Sequence, residues 1–258
     1  PGAFKPGDRQ PASVTDADLP LEHVHVAPAE PTDHTVVVLH GRGADEQDLL
    51  PVARELPPAH IVSLRAPDPM GPGYTWYALD LSAGGLHQSQ PDPEEFRRSL
   101  DLVSESIAAA REAYGDGSVG LLGFSQGAIT SLSLLLENPA CFDWVVALHG
   151  YLAESHADRT PTGLADVPVF VAAGEADEVI PAARAEAAAE ALREAGAPAP
   201  PPSSPPRPGP GRAAPGRAGP GVRARGTPPG WSPPLRLFFL SPPFRPARPA
   251  LAPPHPRA

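Results

Sequence analysis

The chain has 258 residues, with 30 acidic side chains against 20 basic ones, 39 prolines and one cysteine. That length suits one α/β domain with a sizeable core, the lone Cys141 excludes an internal disulfide and fits a reducing, cytoplasmic setting, and no apolar run approaches the length of a membrane span. Every acid lies at or before Glu194, so residues 1–196 carry a net charge of about −19, which excludes nucleic acid as a partner for that part.

The composition divides the chain. Residues 1–20 are polar, with Pro and Gly, and read as a lead-in without a signal-peptide pattern; the chain begins at Pro1 rather than Met, which fits a trimmed or partial sequence. Residues 21–196 have the mixed composition of a folded domain. From 197 to 258 there are nine arginines, no acid and about one proline in three, so that segment reads as disordered. Lys5 is the only lysine. The excess of acid is a balance familiar in halophilic proteins and points to a high-salt cytoplasm. A GC-rich genome would explain the missing lysine but not the excess acid.

In chain order, Glu22–Ala27 alternates as a half-exposed strand should. His23 and His25 would share one face, and without a third ligand nearby that face reads as solvated rather than as a metal site. Thr35–Leu39 is a β-branched run typical of a strand buried on both faces. It ends in His40-Gly41-Arg42-Gly43, after which Asp45, Glu46 and Asp48 open an expected helix to Leu56, placed to favour its positive end. His60–Leu64 is the next strand, and Pro67–Gln90 an irregular segment containing Tyr74-Thr75-Trp76-Tyr77. Pro93–Tyr114 has helical spacing, with Phe96, Leu100, Val103 and Ile107 on one face.

A strand over Ser118–Leu122 then runs into Gly123-Phe124-Ser125-Gln126-Gly127 and a helix over Ala128–Leu136, stopped by Asn138-Pro139. Cys141 reads as a small buried residue. Trp144–Leu148 is a strand ending in His149-Gly150, and Val167–Ala173 a strand ending in Gly174-Glu175-Ala176-Asp177. An Ala-rich helix covers Pro181–Ala195, with proline tolerated early. Strands alternating with helices predict an α/β fold, a mostly parallel sheet with helices on both faces, and ligands beyond the carboxyl ends of its strands.

The G-x-S-x-G pentapeptide between a strand and a helix is the pattern of a nucleophile held in a sharp turn, which makes Ser125 the candidate nucleophile. A serine hydroxyl needs a base, and the base an orienting acid; Asp177, in the turn after the next strand but one, is the candidate acid. Glu175 and Glu178 compete with it. The oxyanion of an acyl intermediate needs two donors, the backbone N–H of Gln126 and one from the loop after Thr35–Leu39, best Arg42. Both act through the backbone, so their side chains are expected to matter little. His40, beside Gly41, reads as structural.

Leu39-His40-Gly41-Arg42-Gly43-Ala44-Asp45, Gly73-Tyr74-Thr75-Trp76-Tyr77, Leu122-Gly123-Phe124-Ser125-Gln126-Gly127-Ala128 and Gly174-Glu175-Ala176-Asp177-Glu178-Val179-Ile180-Pro181 stand in an order that resembles the phospholipase/carboxylesterase family of α/β-hydrolases, which includes the acyl-protein thioesterases. The resemblance covers roughly residues 20–196. It implies the α/β-hydrolase fold and cofactor-free, metal-free hydrolysis of a small-molecule ester or thioester, with Ser125 as nucleophile and Asp177 as acid. It also places Trp76 either in an acyl pocket or in the core. Acyl length and oligomeric state are not legible in these motifs.

After Ala197 the pattern breaks. Family members continue with a last strand, a Gly-His-like turn bearing the catalytic histidine, and a helix; here a Pro/Arg-rich run follows, with no histidine until His255. The abrupt change is expected to reflect a shift of reading frame, with an impaired site as its consequence. His255 would have to fold back from a proline-rich tail. His149 ends the strand beside the nucleophile strand, but its place between serine and acid in chain order argues against it. The competing reading is a hydrolase-fold binding protein that keeps the pocket without the base. The arginines and prolines of the tail offer a third, an interaction segment, which no regular proline register supports.

Overall fold

The structure is a computed structural model that describes residues 17–115, 117–174, 177, 179–198 and, as backbone, 235–239. In chain order the elements are β1 (His23–Val26), β2 (Thr35–Leu39), α1 (Leu50–Ala53), β3 (His60–Leu64), β4 (Asp68–Met70), β5 (Gly73–Thr75), β6 (Leu79–Asp80), β7 (Gln90–Pro91) and α2 (Pro93–Tyr114). Then come β8 (Val119–Phe124), α3 (Gln126–Glu137), β9 (Trp144–Leu148), α4 (Glu154–Ala157), β10 (Val169–Gly174), α5 (Ala182–Glu194) and β11 (Leu235–Phe239).

Seven strands form one sheet in the order β1-β3-β2-β8-β9-β10-β11. The five central strands run parallel, and β1 and β11 close the edges antiparallel. Parallel pairing needs crossovers, which the segments carrying α1, α2, α3 and α4 supply. The β-branched runs are buried because both faces of a central strand are covered: all five residues of β2 are buried. Alternate residues such as Val37, Leu121, Val145 and Val171 pack with α2, α3 and α5 in the larger core, while Val36, Val38, Ile61 and Leu122 pack with α1 in a smaller one. On this second face Phe124, Trp144, Val146 and Leu148 are only partly buried.

Four expectations change. The helix expected to start near Asp45 is a single turn, because Glu46 turns inward: its carboxylate takes the Arg65 Nε and Nη2 at 2.7 Å each, holding Glu46 below the usual carboxylate range. The irregular Pro67–Gln90 segment contains two short antiparallel ribbons, β4–β5 and β6–β7. The face carrying His23 and His25 is half-buried rather than solvated, since His25 stacks on Tyr114 and shares a 3.0 Å hydrogen bond with His60. Cys141 is half-buried and accepts from Asn138 Nδ2 at 3.0 Å.

The edge position beside β10, where the family's last strand was not legible in the sequence, is taken by Leu235–Phe239, antiparallel and paired from Gly174↔Leu235 to Phe170↔Phe239. The rest of the expected disordered tail, His255 included, lies outside the described residues.

Candidate active site

The turn from β8 to α3 is made by one residue. Ser125 has φ 52 and ψ −116, a conformation that L-residues rarely adopt, and stands as the cap of α3. Its N–H donates to Leu148 O on β9 at 2.9 Å and its carbonyl accepts from Ile129 N at 3.0 Å, so the strained residue is tied to strand and helix. The flanking glycines are dictated by close approach: a methyl at Gly127 would overlap the Leu39 carbonyl and lie 2.8 Å from His40 O, and one at Gly123 would lie 2.6 Å from Ser131 Oγ. The helix thus starts directly beneath the hydroxyl, where its first N–H groups have no partner within the helix.

The loop after β2 lies against this turn. A Cβ built on Gly41 would be 2.8 Å from Phe124 Cδ1 and 3.5 Å from Ser125 Cβ, so the backbone leading into Arg42 runs beside the serine. The Gly43 N–H goes to Tyr74 O at 2.7 Å and the Ala44 N–H to Gly41 O at 3.2 Å, which fixes the loop on either side of Arg42. The Arg42 side chain itself is exposed. The structure therefore sets Arg42 and Gln126, the two residues that the sequence nominates, on backbone next to Ser125.

Gln126 departs from the expectation that its side chain matters little. It is 2% exposed. Its Oε1 accepts from Thr75 Oγ1 at 2.9 Å and Trp76 N at 3.1 Å, and its Nε2 donates to Tyr77 O at 2.8 Å. One side chain thereby clamps the Tyr74–Tyr77 segment to the Ser125 turn. Trp76 is fully buried, its indole N–H donating to His40 O at 2.8 Å. It packs in the core and braces the His40 loop.

At the end of β10, Asp177 Oδ1 accepts from Val179 N and Ile180 N at 2.9 Å each, and Oδ2 pairs with His149 Nδ1 at 2.6 Å. Burial pushes the Asp177 carboxyl up, but the His149 and backbone hydrogen bonds outweigh it and leave the group below its ordinary value. His149 directly follows β9 with φ 54, a second left-handed non-glycine beside Ser125, and its ring packs at 5.3 Å from Phe124. No hydrogen bond among the described residues joins this ring to Ser125.

The chain matches the Phospholipase/Carboxylesterase family over residues 22–199. It belongs to that family. It is 28% identical over 176 residues to the putative hydrolase MhqD of Bacillus subtilis (strain 168), covering 68% of this chain and 85% of that protein. It is 28% identical over 174 residues to acyl-protein thioesterase 1 of Cryptococcus neoformans, covering 62% of this chain and 73% of that protein. Among solved structures, a carboxylesterase from Mesorhizobium loti superposes with a TM-score of 0.60 at 25% identity, covering 70% of this chain and 83% of that one.

Membership of the phospholipase/carboxylesterase family places the chain among ester and thioester hydrolases of the α/β-hydrolase fold, and that fold supplies the ends of β2, β8, β9 and β10 where the named residues gather. His40 is fully buried, with Nδ1 on Gly41 O at 2.7 Å and Nε2 accepting from Ala66 N at 3.1 Å. Both ring nitrogens are committed and burial lowers its pKa, so it holds a loop together as a neutral ring. The residue that chain order set aside, His149, is the one that Asp177 holds. Its signal in the sequence was its position: the first residue after the strand between the strands that lead to Ser125 and Asp177.

Proposed function

We propose that this protein hydrolyses small carboxylic esters or thioesters through an acyl-enzyme on Ser125. The hydroxyl oxygen adds to the acyl carbonyl, the oxyanion meets the Gln126 and Arg42 N–H groups, the alcohol or thiol leaves, and water releases the acid. Asp177 is the orienting acid, and the chemistry asks for no cofactor. A cytoplasmic setting belongs to the same proposal; among the described residues no helix is long and apolar enough to cross a membrane.

The observation that carries this reading is the left-handed Ser125 at the N-terminus of α3 with the Gly41–Arg42 backbone beside it. A turn serine without a task would have no reason to hold that strain. The test is labelling of the full chain by a fluorophosphonate, together with turnover of p-nitrophenyl butyrate and of a butyryl thioester. Labelling that Ser125→Ala abolishes supports the proposal. Binding of an ester with neither labelling nor turnover would instead make the chain a hydrolase-fold binding protein.

A further inference from the structure

The base that this chemistry needs has to touch two groups at once: the hydroxyl at the end of β8 and the carboxylate at the end of β10. In the sheet β9 lies between those strands. Phe124 pairs with Leu148, and Ser125 N donates to Leu148 O at 2.9 Å, so Ser125 and His149 are the next residues along neighbouring strands, which in parallel sheets run roughly 4.8 Å apart. Both leave the sheet in the left-handed region, at φ 52 and 54. Resting on the proposed role of Ser125, we infer that His149 is the general base and acid of this site, giving a triad in the chain order Ser125, His149, Asp177.

The side chain is prepared for that role on one side already. Asp177 Oδ2 at 2.6 Å from Nδ1 keeps the proton on that nitrogen and leaves the Nε2 lone pair to accept another. Nε2 makes no hydrogen bond to the described residues, and the side chain is 22% exposed. The other face of the ring leans on Phe124, the residue before the nucleophile. Catalytic hydrogen bonds are commonly long in the unliganded state and close only around substrate. A triad is defined by the geometry and roles of its members and not by their order in the chain.

The steps balance without a further reactant. Nε2 takes the Ser125 Oγ proton as Oγ bonds to the acyl carbon and the carbonyl electron pair moves to oxygen. When the carbonyl re-forms, the bond to the leaving alkoxide or thiolate breaks and Nε2–H supplies its proton. Water then repeats the sequence against the acyl-enzyme, with Nε2 taking its proton and returning it to Ser125 Oγ as the acid leaves.

The experiment compares the full-length wild type with Ser125→Ala, His149→Gly, His149→Gln and His255→Ala, reading p-nitrophenyl butyrate turnover, fluorophosphonate labelling rate and thermal unfolding. Glycine suits φ 54, so His149→Gly is expected to stay folded. Turnover and labelling should fall together by about 10²–10⁴-fold in both His149 variants, while His255→Ala matches the wild type. Added imidazole should restore part of the rate in His149→Gly and none in Ser125→Ala, a rescue that a merely structural histidine would not give. Wild-type labelling at Ser125 that His149→Gly leaves unchanged would overturn the role of His149 and spare that of Ser125, as would loss confined to His255→Ala. Wild-type labelling no faster than Ser125→Ala would remove both.

Discussion

Replacing Gln126 by alanine removes the clamp between the Ser125 turn and the Tyr74–Tyr77 segment. The Trp76 N–H, on a residue with no exposed surface, loses its acceptor, whereas the single Thr75 hydroxyl proton, within reach of both Gln126 Oε1 and Tyr77 O, still has Tyr77 O at 3.0 Å. One orphaned buried donor costs about 1–3 kcal/mol and the lost Nε2 hydrogen bond about 1 kcal/mol, so the expected destabilisation is about 2–4 kcal/mol. At about 2–4 °C per kcal/mol for a domain of this size, the melting temperature should drop by roughly 4–16 °C. Gln126→Glu tests the donor separately. A buried carboxylate keeps the acceptors and loses the N–H to Tyr77 O, and on protonation it regains a donor, so its stability gap to the wild type should narrow as pH falls. Circular dichroism melts at pH 7.5 and 5.5 read both effects. An alanine variant melting within about 2 °C of the wild type would mean that the side chain is dispensable and the clamp misread.

Asp177→Asn keeps an oxygen for Val179 N and Ile180 N but presents the wrong partner to His149 Nδ1, so it should fold normally and lose about 10⁴-fold in ester turnover; near-normal turnover would count against Asp177 as the orienting acid. Gly127→Ala places a methyl on the Leu39 carbonyl, a backbone group that cannot step aside, and should cost about 3 kcal/mol or more, seen as a lower urea midpoint or insoluble protein. His40 and His156 are both held below the ordinary 6.5, in each case chiefly by burial. The unfolded chain therefore binds protons at these sites that the folded chain does not, so stability should be intact above pH 6.5 and decline as pH falls below it. The slope is up to about 1.4 kcal/mol per pH unit for each histidine until its folded pKa is passed. Urea unfolding at pH 7.5 and 5.5 checks this, and equal stability at both would contradict it.

Most of the sheet could be read in the sequence because local pattern determined it. Thr35–Leu39 and His60–Leu64 form as expected from their β-branched runs, and α2 spans Pro93–Tyr114 as its apolar spacing requires. The two ribbons between β3 and α2 escaped notice because strands of two or three residues are too short to show alternation. The turn before α1 failed for a different reason. Glu46, read as a helix-start acid, is instead claimed by Arg65, nineteen residues away, and a pairing over that distance leaves no trace in local composition. The same holds for Gln126, whose hydrogen-bond partners lie 49 to 51 positions away.

The case of His149 separates two kinds of order. Chain order, Ser then acid then His, describes a site whose base arrives on a loop after the last strand, and by that criterion a histidine between Ser125 and Asp177 is out of place. Spatial order in a parallel sheet works differently, because successive crossovers set strand ends side by side. A residue leaving the middle of three neighbouring strands can reach the other two without any help from the segment that follows. The Ser125 turn, the Arg42 loop, His149 and Asp177 all lie between β2 and the start of α5, and the hydrogen bonds that fix them stay within that span. On the proposed reading, the break in the family pattern after Ala197 leaves this geometry untouched, and an imidazole already hydrogen-bonded to Asp177 needs no new scaffold to act as the base.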